Sequence, residues 1–232
     1  VDGLSVQEQL DIVHQYARPM IEAHANCWLN DLEPALQKEG VIIAGYDQLD
    51  EAEKAVADQF FLKQVFAILI PLAVDQGHPF PFISNLSKSL GVMLQQPGFG
   101  EPSFVRVKVP ENLPRWIPLP TKFKFVPLEQ VIGGNLSLLF PGLKVLEWNA
   151  FRVTRNADIE LDEDDTDDLL ALVEAELRRR RLAKVVRLEL PEAMSQGMRE
   201  FIIEGLDVER VDVYTIRGPG DMDDFFAISN LD

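Results

Sequence analysis

The chain has one cysteine, three histidines and no apolar run long enough to cross a bilayer. The lone thiol, Cys27, excludes an intrachain disulfide and a cysteine-cluster zinc site, and it suits a reducing cytoplasm. The longest apolar candidate, from Val65 to Val74, is shorter than the roughly 18 to 20 residues of a spanning helix and is broken by Pro71. No signal peptide is expected. The chain opens on Val1 and not on Met, so it is expected to be a domain excised from a longer polypeptide. Positive charge is scarce: 22 basic residues face 38 acidic ones, a net −16. That balance disfavours a whole-surface role on nucleic acid or anionic lipid and confines any polyanion contact to a local basic patch.

Motifs of common chemistries are missing as well. The sequence has no Gly-rich phosphate loop ending in Lys-Ser/Thr, no Gly-x-Gly-x-x-Gly, no His-Glu-x-x-His and no Gly-x-Ser-x-Gly. Three histidines and one cysteine, in no recognised triad pattern, do not suggest a nucleophilic triad. His14 and His24 read as ordinary helix positions, Cys27 as packing, and His78 as an imidazole bonded to a turn backbone. No catalytic, cofactor-binding or metal-ligating residue is assigned.

What is present is 232 residues, 47% hydrophobic and 26% charged, enough for one sizeable core plus a helical extension. From Val6 to Lys38, Leu10, Val13, Ala17, Met20, Ile21, Trp28, Leu32 and Leu36 recur at steps of three and four, which puts an apolar stripe on one long helix. Ser5 with Glu8 gives a capping box at its start, and Pro19 and Pro34 kink or divide it. A short β-rich run, Val41 to Ala44, follows Gly40. A second helix from Asp50 turns Ala55, Phe60 or Phe61, and Val65 inward, and a buried strand is expected at Ile68 to Ile70.

Around Gly77-His78-Pro79-Phe80-Pro81-Phe82-Ile83 the prolines force an extended path whose aromatics need a core to lie against. Strands are then expected at Leu86 to Leu94 and Phe104 to Val109, with Arg106 and Lys108 forming an outward basic stripe opposite Val105, Val107 and Val109. Pro110 to Pro120 reads as too irregular for a strand. Phe123 to Val126 resumes the sheet, a short helix follows Pro127, and Lys144 to Val153 is the strongest strand, ending in Arg152 and Arg155. Seven acidic residues between Glu160 and Asp168 open a helix that closes on Arg178 to Arg181, which is the polarity its dipole favours. Strand, helix and strand then run to Ile216. The fold class is α+β: a long N-terminal helix arm, then a mixed or antiparallel sheet packed with helices. The arm leading into the body takes residues 1–66 and the body residues 67–232.

Leu72-Ala73-Val74-Asp75 and His78-Pro79-Phe80-Pro81-Phe82-Ile83-Ser84-Asn85-Leu86 resemble the polyphosphate kinase family of long enzymes. Val105-Arg106-Val107-Lys108-Val109-Pro110, Leu113-Pro114-Arg115, Phe125-Val126-Pro127-Leu128-Glu129 and Phe151-Arg152-Val153-Thr154-Arg155-Asn156-Ala157-Asp158 follow in the family's order. The resemblance covers nearly the whole chain and implies the family's middle, or head, domain. It implies a parent enzyme that transfers the terminal phosphate of ATP reversibly to polyphosphate with Mg2+. The phosphorylated histidine and the ATP and metal ligands would lie on later domains, so His78 inherits no role and no cofactor belongs to this segment. The implied part of this domain is assembly: a homo-oligomer contact, docking to the remaining domains, and a wall of the polyphosphate channel. Arg106, Lys108, Arg152 and Arg155 are the candidate polyphosphate contacts. The alternative is a stand-alone anion-binding module using the same four. A cytoplasmic location is implied, with loose attachment at the inner membrane and no insertion; nucleic acid is not an expected partner.

Overall fold

The computed structural model describes residues 3–74, 80–98, 100–156, 183–219 and 221–229. His78, the acidic run from Glu160 and the arginines Arg178 to Arg181 lie outside the described residues. The chain opens with α1 (Val6–Cys27), which runs through a π turn at Trp28–Leu32 into α2 (Glu33–Lys38). Ser5 caps it: the Ser5 hydroxyl accepts from the Glu8 N–H, and the Glu8 carboxylate accepts from the Ser5 N–H at 2.7 Å. Pro19 lies within α1 without ending it, and Pro34 starts α2 after the wide turn, where its missing N–H does least harm. Gly40, at φ +83°, follows the end of α2.

Leu10, Val13 and Met20 of the apolar stripe are exposed, while the arm docks through a neighbouring face that includes Trp28 of the same stripe. His14, Ala25 and Trp28 are buried there. His14 Nδ1 is 2.6 Å from the Tyr214 hydroxyl and its Nε2 is 3.2 Å from Asp212. Arg18 donates to the Val211 carbonyl at 2.5 Å, and the Arg18 and Arg187 guanidinium groups lie 4.8 and 4.9 Å from the Tyr214 ring centre. The reading of His14 as an ordinary helix position is therefore corrected. Cys27 is exposed and not packed.

A six-stranded sheet forms the body, in the order β2 (Pro71–Val74), β4 (Ser103–Lys108), β3 (Lys88–Gln95), β7 (Lys144–Arg155), β8 (Val185–Pro191), β9 (Val213–Ile216). All neighbours are antiparallel except β8 and β9. A smaller sheet joins β1 (Ile42–Ile43), β6 (Lys124–Pro127) and β5 (Trp116–Pro118), with β1 parallel to β6. The strand at Trp116–Pro118 corrects the irregular reading of that stretch; it is an edge strand, where prolines cost no ladder bond.

Two cores lie on the two faces of the large sheet. On one, Leu90, Val92, Leu94, Val105 and Val107 meet α3 (Glu51–Phe60), α4 (Leu128–Gly134), α5 (Leu136–Leu139) and the smaller sheet. Ala57, Phe61 and Val65 bring in the second helix and the π turn that follows it, so Phe61 is the inward aromatic and Ala55 stays exposed. The expected strand at Ile68 to Ile70 is instead a 3₁₀ turn (Phe66–Ile68) leading into β2, with Ile70 70% exposed. On the other face, Phe104, Phe151, Val153, Leu188 and Leu190 pack on Met198 and Ile202 of α6 (Gln196–Leu206). Phe80 stacks on Phe104 at 5.6 Å and Ile83 is fully buried, so the described part of the proline-aromatic corner is pinned to this second core. The result is an α+β fold with a long N-terminal helix. Among the described residues no helix is long and apolar enough to cross a membrane.

Candidate functional site

Strand register builds the floor of one large cleft. Lys88 of β3 lies opposite Arg152 of β7, and Arg152 lies opposite Glu189 of β8, so the three form a row across neighbouring strands on one sheet face. Arg115, just before β5, and Glu129, in the first turn of α4, approach the row from the smaller sheet. The Arg115 guanidinium donates to Glu129 at 2.7 Å, and Lys88 Nζ lies 4.0 Å from the same carboxylate. Arg152 lies 3.7 Å from Glu189, which also pairs with Arg187.

The walls are aromatic. All three tryptophans of the chain, Trp28, Trp116 and Trp148, line the cleft, whose volume is about 660 Å³. Gly133 lets Trp148 in: a Cβ there would sit 2.1 Å from its indole. The last described segment lines the cleft through Asp224 and Phe225 as a strap that ends in α7 (Phe226–Ser229). Phe225 wedges between Trp28 and Trp116, at 4.3 and 4.8 Å between ring centres, and the Trp116 indole N–H donates to the Asp224 carbonyl at 2.6 Å.

The four cations singled out in the sequence do not converge. Arg106 does not face outward, which corrects that expectation: it points to the sheet face covered by α6, is 6% exposed, and its Nε donates to Ser89 Oγ at 3.0 Å. Burial pushes its guanidinium down from the ordinary value. Lys108 is partly exposed and pairs with Glu111 at 2.8 Å. Arg155 donates to the carbonyls of Ile83 and Ala183 at 2.8 and 2.6 Å and lies over the Phe82 ring; burial lowers its pKa too. Only Arg152 reaches the cleft, joined there by Lys88 and Arg115. Those two were missed because Lys88 reads as a routine strand position. Arg115 had a cue, its place in Leu113-Pro114-Arg115, but nothing local ties it to β3.

Chemically, the cleft gathers three cations between aromatic walls, each paired with a carboxylate, so an anion would be held there by exchange with those carboxylates. Among the described residues lining it there is no histidine, cysteine or serine, and the titratable groups are the three cations and the carboxylates of Glu33, Asp47, Glu129, Glu189 and Asp224. Among the described residues, no group of three or more His, Cys, Asp or Glu is placed to hold a metal ion.

Comparison with known proteins adds to this geometry. The family described as polyphosphate kinase middle domain matches residues 52–228. A polyphosphate kinase of Mycolicibacterium gilvum is 42% identical over 237 residues, covering 100% of this chain and 32% of the relative. One from Thermosynechococcus vestitus is 40% identical over 238 residues, covering 99% of this chain and 32% of its own length. The chain thus spans about a third of the length of the curated relatives it matches. The crystal structure of polyphosphate kinase from Porphyromonas gingivalis superposes with a TM-score of 0.75 at 20% identity, over 93% of this chain and 31% of that one, which shows a shared fold.

Proposed function

Because this chain belongs to the polyphosphate kinase family, as its middle domain, we propose that it works inside a longer enzyme that moves the terminal phosphate of ATP reversibly onto polyphosphate. Its own part is to join domains and to present a cationic wall to the phosphate chain, while bond making, ATP and Mg2+ belong to other domains. The observation that carries this reading is the cleft itself. Lys88, Arg115 and Arg152 meet there from three separate segments, and among the described residues lining it there is no histidine, cysteine or serine. Guanidinium forks match phosphate oxygens, so of the four sequence candidates Arg152 is retained as the polyphosphate contact, with Lys88 and Arg115 added to it.

The exposed Leu10, Val13 and Met20 stripe on α1 supports a further assignment, the contact with a second copy of the enzyme, since contiguous apolar surface on a soluble domain marks a partner site. A cytoplasmic location fits both assignments, and loose attachment at the inner membrane belongs to the same proposal. The stand-alone anion module is not favoured, because the relatives carry this segment as about a third of a longer polypeptide.

The test uses the intact enzyme containing this segment. Arg152→Glu is expected to raise the apparent KM for polyphosphate roughly tenfold, the effect of one charge-assisted hydrogen bond, and to shorten the product. Unchanged kinetics and product length would remove the cleft from the phosphate path.

A further inference from the structure

The three cations of the cleft are held by the strap as much as by the body. Asp224 Oδ2 lies 2.5 Å from Lys88 Nζ and 3.1 Å from Arg115 Nε. Asp221 Oδ2 lies 3.4 Å from Arg152. Two strap carboxylates therefore stand where the oxygens of a bound anion would stand, one bridging two cations as a phosphate oxygen does. Among the groups in direct contact with them, Glu129 and Glu189 of the body leave the three cations one charge in excess and the two strap aspartates reverse that balance, while Glu33 and Asp47 add further negative charge to the lining. An anion entering the cleft must meet this reversal, because like charges at such distances repel strongly in a partly buried site.

The contacts that join the strap to the body include the two aspartates, the Asp224 carbonyl, Phe225 between the indoles, Met222 beside Trp28 and Arg187, and Ile228, which is 7% exposed. It adds no strand to either sheet. Segments of this kind open at much lower free energy than sheet strands do.

We propose that residues 221–229 are an exchangeable stopper: an oligophosphate displaces Asp224 and Asp221 from Lys88, Arg115 and Arg152, and Phe225 leaves Trp28 and Trp116 as it enters. The cleft then has a closed, aspartate-filled form and an open, phosphate-filled form. Binding of the anion and release of the strap are thermodynamically linked, so weakening one contact must strengthen the other. This inference rests on the assignment of the cleft to a phosphate ligand.

The experiment is hydrogen exchange on the intact enzyme with and without inorganic tripolyphosphate, reading peptides across β3, residues 113–118 and the strap. The expected result is faster exchange in the strap on adding tripolyphosphate, together with slower exchange around Lys88 and Arg115. Asp224→Asn should lower the tripolyphosphate concentration at half-effect roughly tenfold, as loss of one charge-assisted contact requires. Phe225→Ala, which leaves every charge in place, should act in the same direction and guards against a purely electrostatic effect of the first variant. Slowing around Lys88 and Arg115 with no change in the strap would overturn the exchange and leave the cleft assignment standing. No change at either place would overturn both.

Discussion

Glu53 is 2% exposed, yet it is a carboxylate, and its surroundings predict what its charge contributes. It accepts from Lys124 Nζ at 2.7 Å, from Thr121 Oγ1 at 3.1 Å and, in the capping box of α3, from the Asp50 N–H at 3.1 Å. The Lys124 ammonium first, and then the Asp50 and Thr121 donors, hold its carboxyl below the usual carboxylate range against the opposing push of burial. Glu53→Gln keeps an acceptor oxygen and removes the charge. A charge-assisted bond contributes about 1.5–3 kcal/mol against about 0.5–1.5 for a neutral one, so the substitution should cost about 2 kcal/mol near neutral pH. Lys124 keeps some water contact, which holds the cost below the 3–5 kcal/mol of a fully buried broken pair. In a chain of this size that is roughly 4–8 °C in Tm.

The pH dependence fixes the sign. A folded-state pKa below the unfolded value of about 4.3 gives stability that is fully present above that value and is lost as pH falls through the folded one. The gap between wild type and Glu53→Gln should therefore hold from pH 7 to about 5 and shrink on further acidification. Urea unfolding followed by circular dichroism at pH 7 and pH 3 measures it. A double-mutant cycle with Lys124→Met should give a coupling of about 1.5 kcal/mol at pH 7, falling toward zero in acid. A coupling below about 0.5 kcal/mol at pH 7, or an equal penalty at both pH values, would refute the reasoning.

Two further outcomes test packing. Tyr214→Phe removes the hydroxyl beside His14 and should cost about 1–2 kcal/mol, with hydrogen exchange accelerated along α1 and unchanged in β3 and β7. Gly133→Ala places a methyl group against the Trp148 indole and should cost about 1–3 kcal/mol in urea unfolding. Gly197→Ala, where nothing lies within 4 Å of the added carbon, should instead stabilise α6 by up to about 1 kcal/mol.

Local periodicity made most elements legible: the capped arm, the alternating β3 and β4, the long β7 and the helix after Pro127 were all readable from residues within one element. Decisions made across elements were not. Arg106 alternates with valines and so reads as solvated, but α6 covers that face of the sheet, and only tertiary packing decides which faces are covered. His14 looks unremarkable in its helix until a strand about 200 residues later supplies Tyr214. The cleft was illegible for the same reason: Lys88, Arg115 and Arg152 come together through strand register and the docking of the second sheet, and no short-range spacing encodes either.

The central sheet also limits how this domain can change. Leu90 and Gly91 are neighbours in the chain but belong to different interiors, the first facing α3 and α4, the second allowing Phe104 and Ile202 to close over it. A Cβ at Gly91 would lie 2.9 Å from the Phe104 ring, so a larger residue there would press β3 toward the opposite side. The two interiors can differ freely in composition, yet they share one backbone as their boundary. Substitutions that enlarge either one should be tolerated chiefly when a matching reduction accompanies them across the strand.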